Sequence, residues 1–515
     1  MRSCWVMSSL TRWKSLLFVL AITAGCGDDD DSAPGSQAAG SPAVAGDGGA
    51  DDEGHAGRPT HVGGTGGPTM PDGGFGGGGE AGARDVSAGA PSAVAPSAGG
   101  ADAGAAGAGG DGVVGDASRD ILDTSLDIDM RTKAGTAIIT LAGSESTGAS
   151  FEIGDLEIGS VTSNGEALRF RAEGSVLDVQ VPASTEPLVL RIDYTWRFHE
   201  KLDGISSHGF SLTWPYYCGN VFPCHSSPSD GTTFHLNVTG VSAPNTVIYP
   251  TEIRRDAPPY MAAWAIGNYT ELPLGETSAG TSVSTWYKAG GRADAEDGTA
   301  HLVAAFDWLE QEIGPYRFGS HVGSVSVEWR DGGMEHHPFW HVAENTMSDE
   351  VSQVHEAAHG WFGDGVRLRC WEDFVLSEGT ATYLAARALE AAGGTDVSDA
   401  VWSGYESELE GMRAPGASSS VWPQSCGEID VLASGLFSRQ PYIKGAFFYR
   451  GLEQQVGRAS LDEALRTFYE RFAGQAAGMQ DLLDVVAEVT DYDAEPCAQA
   501  WLIDATPVPA IAACP

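Results

Sequence analysis

Between Ile121 and about Leu272, apolar and polar residues alternate with period two. Examples are Leu126-Asp127-Ile128-Asp129, Val176-Leu177-Asp178-Val179-Gln180-Val181 and Leu188-Val189-Leu190-Arg191-Ile192. Side chains two apart share one face of a strand, so this pattern predicts half-buried β-strands. Asn164-Gly165 marks a turn between them. Residues 119–272 therefore read as an antiparallel β-sheet domain, with no catalytic spacing in it. After residue 273 the period becomes helical: Leu302, Phe306, Leu309 and Ile313 share a face, as do Leu461, Leu465, Phe468 and Phe472. A strand, Val325 to Trp329, is expected between the first of these helices and the motifs described below. Residues 273–515 read as helices with a small sheet, and the fold class as α+β.

The N-terminal fifth of the chain follows neither period. Arg2, Arg12 and Lys14 precede the short apolar run Leu16-Leu17-Phe18-Val19-Leu20-Ala21-Ile22, and Thr23-Ala24-Gly25 lead into Cys26. That order describes an export signal over residues 1–26, with an apolar run too short to span a bilayer as a helix. A cysteine directly after the small residues resembles a bacterial lipoprotein signal. Cys26 would then become the lipid-modified N-terminus that holds the chain on the cell envelope; an ordinary cleaved leader and a secreted protein are the alternative. Residues 27–118 hold 28 of the 68 glycines and a single aromatic, Phe75. Such a stretch cannot bury enough apolar surface to offset its ordering entropy and reads as a disordered tether. As a flexible coil it would span roughly 50 Å.

The formal net charge is -41. The leader and the tether carry only a small part of it, so the folded part is itself strongly acidic. Phosphate backbones would repel such a surface, which argues against nucleic-acid partners. Beyond Cys4 and Cys26 six cysteines remain: Cys218, Cys224, Cys370, Cys426, Cys497 and Cys514. None forms a CxxC metal pattern, and in an exported chain they read as three possible disulfides among fifteen connectivities. Proximity favours Cys218–Cys224 and Cys497–Cys514, leaving Cys370–Cys426.

The candidate chemistry lies in the second half. His355-Glu356-Ala357-Ala358-His359 is HExxH. On a helix, residues four apart share a face, so both imidazoles can reach one metal, with Glu356 beside them as a general base toward the attacking water. A catalytic zinc needs a third protein ligand and an open position. Glu378 follows His359 by 19 positions, in Trp371-Glu372-Asp373-Phe374-Val375-Leu376-Ser377-Glu378-Gly379. Gly332-Gly333-Met334-Glu335-His336 stands upstream, and Tyr442-Ile443-Lys444-Gly445 opens a helix downstream.

In this order the motifs resemble the aminopeptidase N (membrane alanyl aminopeptidase) family of zinc metallopeptidases, which also contains leukotriene-A hydrolase relatives. The likeness runs through His355-Glu-Ala-Ala-His-Gly-Trp-Phe-Gly-Asp364. It includes Phe222-Pro223-Cys224 with Pro228 and Phe234 late in the β domain, and covers about 119–515. The resemblance implies a thermolysin-like catalytic domain after the β-sheet domain, one zinc ion and peptide substrates. His355, His359 and Glu378 would hold the zinc, and Glu356 would activate the water and later protonate the leaving amine. Tyr442 would donate to the developing oxyanion. Glu335 would bind the α-ammonium, within an exopeptidase motif of Gly332, Gly333, Met334, Glu335 and His336. Asp373 would either support a ligand histidine or serve a plain surface or capping role.

The chain departs from the family in three places. His336 replaces the Asn of the exopeptidase motif, and Ser377 replaces the Asn before the third ligand. The likeness also stops soon after Trp501-Leu502, where the family's catalytic domain ends. Without a helical C-terminal domain the cleft is expected to be open, and an endopeptidase acting on internal bonds is the alternative reading. A non-catalytic surface-binding lipoprotein that kept the fold is a second. His336, His337 and His341 lack carboxylates at helical spacing, so surface positions are expected for them rather than a second metal site.

Overall fold

The structure, a computed structural model, describes residues 112–506, 508–510, 513 and 514. The leader, Cys26 and the tether through residue 111 lie outside the described residues.

The period-two segments form a seven-stranded sheet in the order Glu252–Ala257, Thr232–Thr239, Ile121–Asp129, Ala134–Leu141, Leu188–Thr195, Glu157–Ser163, Glu166–Ala167. Ile139 and Leu141 of one strand and Leu190 and Ile192 of its neighbour point inward and are buried. They meet Phe151, Leu177 and Val179 from a three-stranded sheet of Gly148–Glu152, Val176–Gln180 and Phe170–Glu173. Asn164 and Gly165 both have positive φ, 52° and 82°, the mirror-image turn that suits a two-residue hairpin. Within these two sheets the pairing is antiparallel apart from one pair: Ile121–Asp129 runs parallel to Thr232–Thr239.

Residues 112–118, read from the sequence as the end of the tether, pack against the β half. Val113 is buried, and the Ser150 N–H donates to the Asp116 carbonyl at 2.9 Å. Gly115 and Gly148 lie so close to their neighbours that neither could carry a Cβ without displacing them. Here glycine serves close packing against the strand Gly148–Glu152 rather than looseness.

The second half holds a five-stranded sheet ordered Thr270–Glu276, Ser282–Tyr287, His321–Val327, Phe339–Ala343, Gly333–Met334. The expected boundary at 272/273 thus falls inside a strand of this sheet. The strand read at Val325 to Trp329 is His321–Val327; residues 328–332 bend to bring Gly333–Met334 onto the sheet edge. Leu302, Phe306 and Leu309 face the core from Leu302–Glu312, and Leu461, Leu465 and Phe468 from Arg458–Phe472. Phe374–Gly393 is the central helix, buried from Phe374 to Leu389, and Leu302–Glu312, Glu350–Ala358, Thr395–Met412 and Arg439–Val456 pack around it. Disulfides join Cys218–Cys224, Cys370–Cys426 and Cys497–Cys514. Among the described residues no helix is long and apolar enough to cross a membrane.

Candidate active site

The HExxH segment is the end of a short helix, Glu350–Ala358. Asp349 starts it, its carboxylate accepting from the backbone N–H groups of Val351 and Ser352. His359 still has helical angles at the C-cap, so the two imidazoles keep their four-residue spacing and their ring centres are 4.7 Å apart. Glu378 arrives from the central helix, four positions after its first residue, Phe374. His355 Nε2 lies 3.1 Å from both Glu378 Oε2 and His359 Nε2, and His359 Nε2 lies 3.4 Å from the same carboxylate oxygen.

These separations suit a metal. Ligands about 2.0–2.1 Å from a zinc ion in a tetrahedron stand about 3.3–3.4 Å from one another. The outer nitrogens point the same way. His359 Nδ1 lies 3.0 Å from the Phe362 carbonyl and donates to it. The Thr382 hydroxyl donates to the Glu378 carbonyl at 2.7 Å, which leaves its oxygen to accept from His355 Nδ1 at 3.4 Å. With each proton on Nδ1, both Nε2 lone pairs and a carboxylate converge on one point with no donor between them. Such a point calls for positive charge. The field agrees in sign: although burial works against charge, the carboxylates of Glu378, Glu335 and Glu356 hold His359 well above the usual imidazole range. Burial likewise works against the Glu378 charge, yet His359 and His355 bring its carboxyl down to about 2. The donor set fits one zinc ion.

The other candidates gather around these ligands. Carboxylate oxygens of Glu335 and Glu356 and a nitrogen of His359 lie within 4.8 Å of one another. Burial pushes the Glu335 carboxyl up to about 7, with Glu378 adding to the effect and His359 opposing it. A cation placed beside Glu335 would therefore be strongly favoured. Glu335 follows the edge strand Gly333–Met334. Gly333 has no room for a Cβ, because the Glu356 side chain occupies that space. Ala343 N–H donates to the Gly332 carbonyl and Gly333 pairs with Val342, so strand alternation turns Gly333's own N–H and C=O toward the free edge. Gly332 is committed internally, its N–H donating to Thr346 Oγ1 at 3.0 Å. Met334 is buried. Tyr442, in the first turn of Arg439–Val456, stacks on His355 with 5.5 Å between ring centres. Burial, followed by the charge of Glu378, holds its phenol well above the ordinary value, so it remains a donor.

The structure corrects two expectations. Asp373 touches neither histidine: its Oδ1 accepts from Trp422 Nε1 at 3.1 Å and from Met479 N–H at 2.9 Å, which ties the motif to the helix Met479–Thr490. Support for the histidines comes from Phe362, Thr382 and Ser377, the last with its hydroxyl 3.1 Å from His359 Nδ1. The histidines 336, 337 and 341 are buried rather than on the surface. His337 Nε2 donates to the Glu356 carbonyl at 2.8 Å and its Nδ1 accepts from Tyr316 at 2.8 Å, while His336 and His341 meet through Nδ1 at 3.0 Å. His337 thereby ties the HExxH helix to the segment that follows the edge strand. The Phe222, Cys224 and Phe234 signature is a buried corner of the β half, its phenyl rings 6.0 Å apart.

The peptidase family M1 domain matches residues 325–501. That stretch is a peptidase family M1 domain. It contains every member of the cluster, Glu335 through Tyr442. Leucine aminopeptidase 2 of Neurospora crassa is 24% identical over 339 residues, 62% of this chain and 50% of that protein. The protein of the same name from Emericella nidulans is 26% identical over 313 residues, 56% and 49% respectively. The chain spans about half the length of these curated relatives. Among solved structures, the M1 zinc metallopeptidase of Deinococcus radiodurans is similar with a TM-score of 0.66 and 21% identity, over 76% of this chain and 95% of that one. Yeast LTA4 hydrolase in complex with bestatin gives 0.63 and 21%, over 76% and 69%. The M1 fold of a β-sheet domain followed by a helical catalytic domain is therefore shared.

Proposed function

We propose that this chain is a zinc-dependent aminopeptidase that removes N-terminal residues from peptides. The observation that carries the proposal is the convergence of His355 Nε2, His359 Nε2 and Glu378 Oε2 at 3.1–3.4 Å, with Glu356 and Glu335 within 4.8 Å of the same histidine. A zinc ion held by these three supplies Lewis acidity at the scissile carbonyl. Glu356 takes the proton of the attacking water and delivers it to the leaving amine. Glu335 holds the α-ammonium by charge-assisted hydrogen bonds, which places the first peptide bond, and no later one, at Glu356. The free edge at Gly333 pairs with the substrate backbone. Tyr442 donates its hydroxyl to the oxyanion.

The test uses one peptide with a free and with an acetylated N-terminus. Cleavage of the free form alone is expected. Glu356→Gln should lower turnover by roughly 10²–10⁴-fold while still binding one zinc per chain. Full activity in that variant would sink the mechanism. Cleavage of both peptides would make the enzyme an endopeptidase, and cleavage of neither would favour the binding-protein reading. The same proposal has the enzyme exported and anchored to the cell envelope through a lipid on Cys26. Cys26→Ser should then move it from the membrane fraction to the soluble one.

A further inference from the structure

The helix Thr395–Met412 carries none of the motifs, yet two of its side chains reach the groups that hold the site in shape. The Tyr405 hydroxyl donates to the Thr382 carbonyl at 3.4 Å, in the turn after Glu378. Glu408 accepts two parallel hydrogen bonds from Arg439, Nε to Oε2 at 2.9 Å and Nη2 to Oε1 at 2.9 Å. Arg439 opens the helix that carries Tyr442, one turn ahead of it. Its guanidinium carbon lies 5.0 Å from the centre of the Tyr442 ring. The same ring meets the imidazole of His355 at 5.5 Å and the edge of Phe374 at 6.2 Å.

We infer that Arg439 is a positioning residue for Tyr442, and that Glu408 is the group that fixes Arg439 in place. The guanidinium lies over the Tyr442 ring, which His355 and Phe374 also contact. A cation over the ring face lies within cation–π range. It draws electron density from the ring, so the hydroxyl becomes a better donor to a developing oxyanion. The two-pronged pair with Glu408 fixes the guanidinium plane in a way an ammonium could not reproduce. It also balances the arginine's charge locally, beside a site that must accept a divalent cation. The helix Thr395–Met412 thus braces both the Thr382 segment beside His355 and the residue that faces Tyr442. The inference rests on the role proposed above for Tyr442.

The test compares Arg439→Met, Arg439→Lys, Glu408→Gln, Tyr442→Phe and the double variant Arg439→Met/Tyr442→Phe in the full-length, zinc-loaded protein, on a peptide with a free N-terminus. Arg439→Met should lower kcat about ten- to a hundredfold, part of the 10²–10³ that a missing oxyanion donor costs. KM should stay within about twofold. Glu408→Gln should fall in the same direction by less, and lysine should restore only a small part. The double variant should be no slower than Tyr442→Phe alone. Calorimetric affinity of the Glu356→Gln protein for the uncleaved peptide should not change when Arg439→Met is added. A raised KM with kcat intact, a weakened peptide affinity, or a loss that multiplies with Tyr442→Phe would overturn the inference, because each makes Arg439 a substrate contact or an independent group. If Arg439→Met does not fold, Glu408→Gln and its own double variant with Tyr442→Phe carry the same comparison. If Tyr442→Phe turns over at the wild-type rate, the inference falls with the role of Tyr442. Turnover by Glu356→Gln would instead remove the functional reading as a whole.

Discussion

When His355 offers Nε2 to a metal its proton sits on Nδ1, and the Thr382 hydroxyl is the acceptor there, at 3.4 Å. The hydroxyl is held in turn by its own donation to the Glu378 carbonyl, so the third ligand's helix sets the orientation of the first. Thr382→Val keeps the shape and removes the oxygen. It should weaken zinc affinity about 10–100-fold, read by competition with a chelator, with little change in the melting temperature. An unchanged affinity would mean that helix geometry alone orients the ring. The HExxH spacing made His355, His359 and Glu356 legible, because four residues on a helix always return to one face. Thr382 was not, since a threonine four positions after Glu378 is ordinary in any helix. Of the two roles weighed for Asp373, support of a histidine fails for a related reason, and capping holds. The residue stands close to the ligands in sequence, but its carboxylate points to Met479 N–H, and sequence does not report side-chain direction across a turn.

At the scale of elements, the central helix and Arg439–Val456 cross at a pair of glycines. A Cβ added to Gly445 would lie 2.5 Å from the Gly379 Cα, and one added to Gly379 would lie 2.8 Å from the Gly445 Cα. Gly379 directly follows Glu378 and Gly445 comes three positions after Tyr442, so this close approach sets how near the tyrosine helix comes to the ligand helix. Gly445→Ala should force the helices apart at a cost of about 1–3 kcal/mol, more than the roughly 1 kcal/mol that alanine gains over glycine in a helix interior. A lower melting temperature and a lower kcat are expected together. A stable, fully active variant would show that the crossing does not set the position of Tyr442. The helices and strands themselves were legible because period 3.6 and period two are local properties of the backbone. The parallel pairing of Ile121–Asp129 with Thr232–Thr239 was not, because its partners are about 110 positions apart and either direction satisfies the same alternation.

Across the whole molecule, a buried charged cluster joins the two halves. Arg367, in the M1 domain, donates to the carbonyls of Ser229 and Asp256 in the β half and of Gly474 in its own. Beside this junction, His225 places Nδ1 2.6 Å from Asp230 Oδ2 and Nε2 2.9 Å from the Ser150 carbonyl. Both partners are acceptors, so the imidazole needs both protons. Burial works against its charge, but Asp230, the Ser150 carbonyl and Glu152 outweigh burial and raise its pKa. A raised folded-state value gives a contribution that is fully present below the unfolded pKa of about 6.5 and is lost as pH rises through the folded value. The urea midpoint should therefore fall between mildly acidic and mildly alkaline pH, and fall less in His225→Asn. Equal slopes in the two proteins would show that the second proton is not held. The excess of acids bears on the same scale: at low ionic strength their mutual repulsion destabilises the compact state.

By itself the sequence determined the two kinds of secondary structure, the α+β class, the favoured disulfides and the His355, His359 and Glu378 donor set proposed to hold zinc. Each depends on short spacings or on residue types with few alternative uses. Only the tertiary structure decided which groups stand behind the two imidazoles, that Val113 and Asp116 pack onto the β half, and that His336, His337 and His341 lie inside. It alone brought Glu408 and Arg439 to Tyr442. Those arrangements join elements far apart along the chain, and their geometry is set by how the helices and sheets pack, which no local pattern encodes.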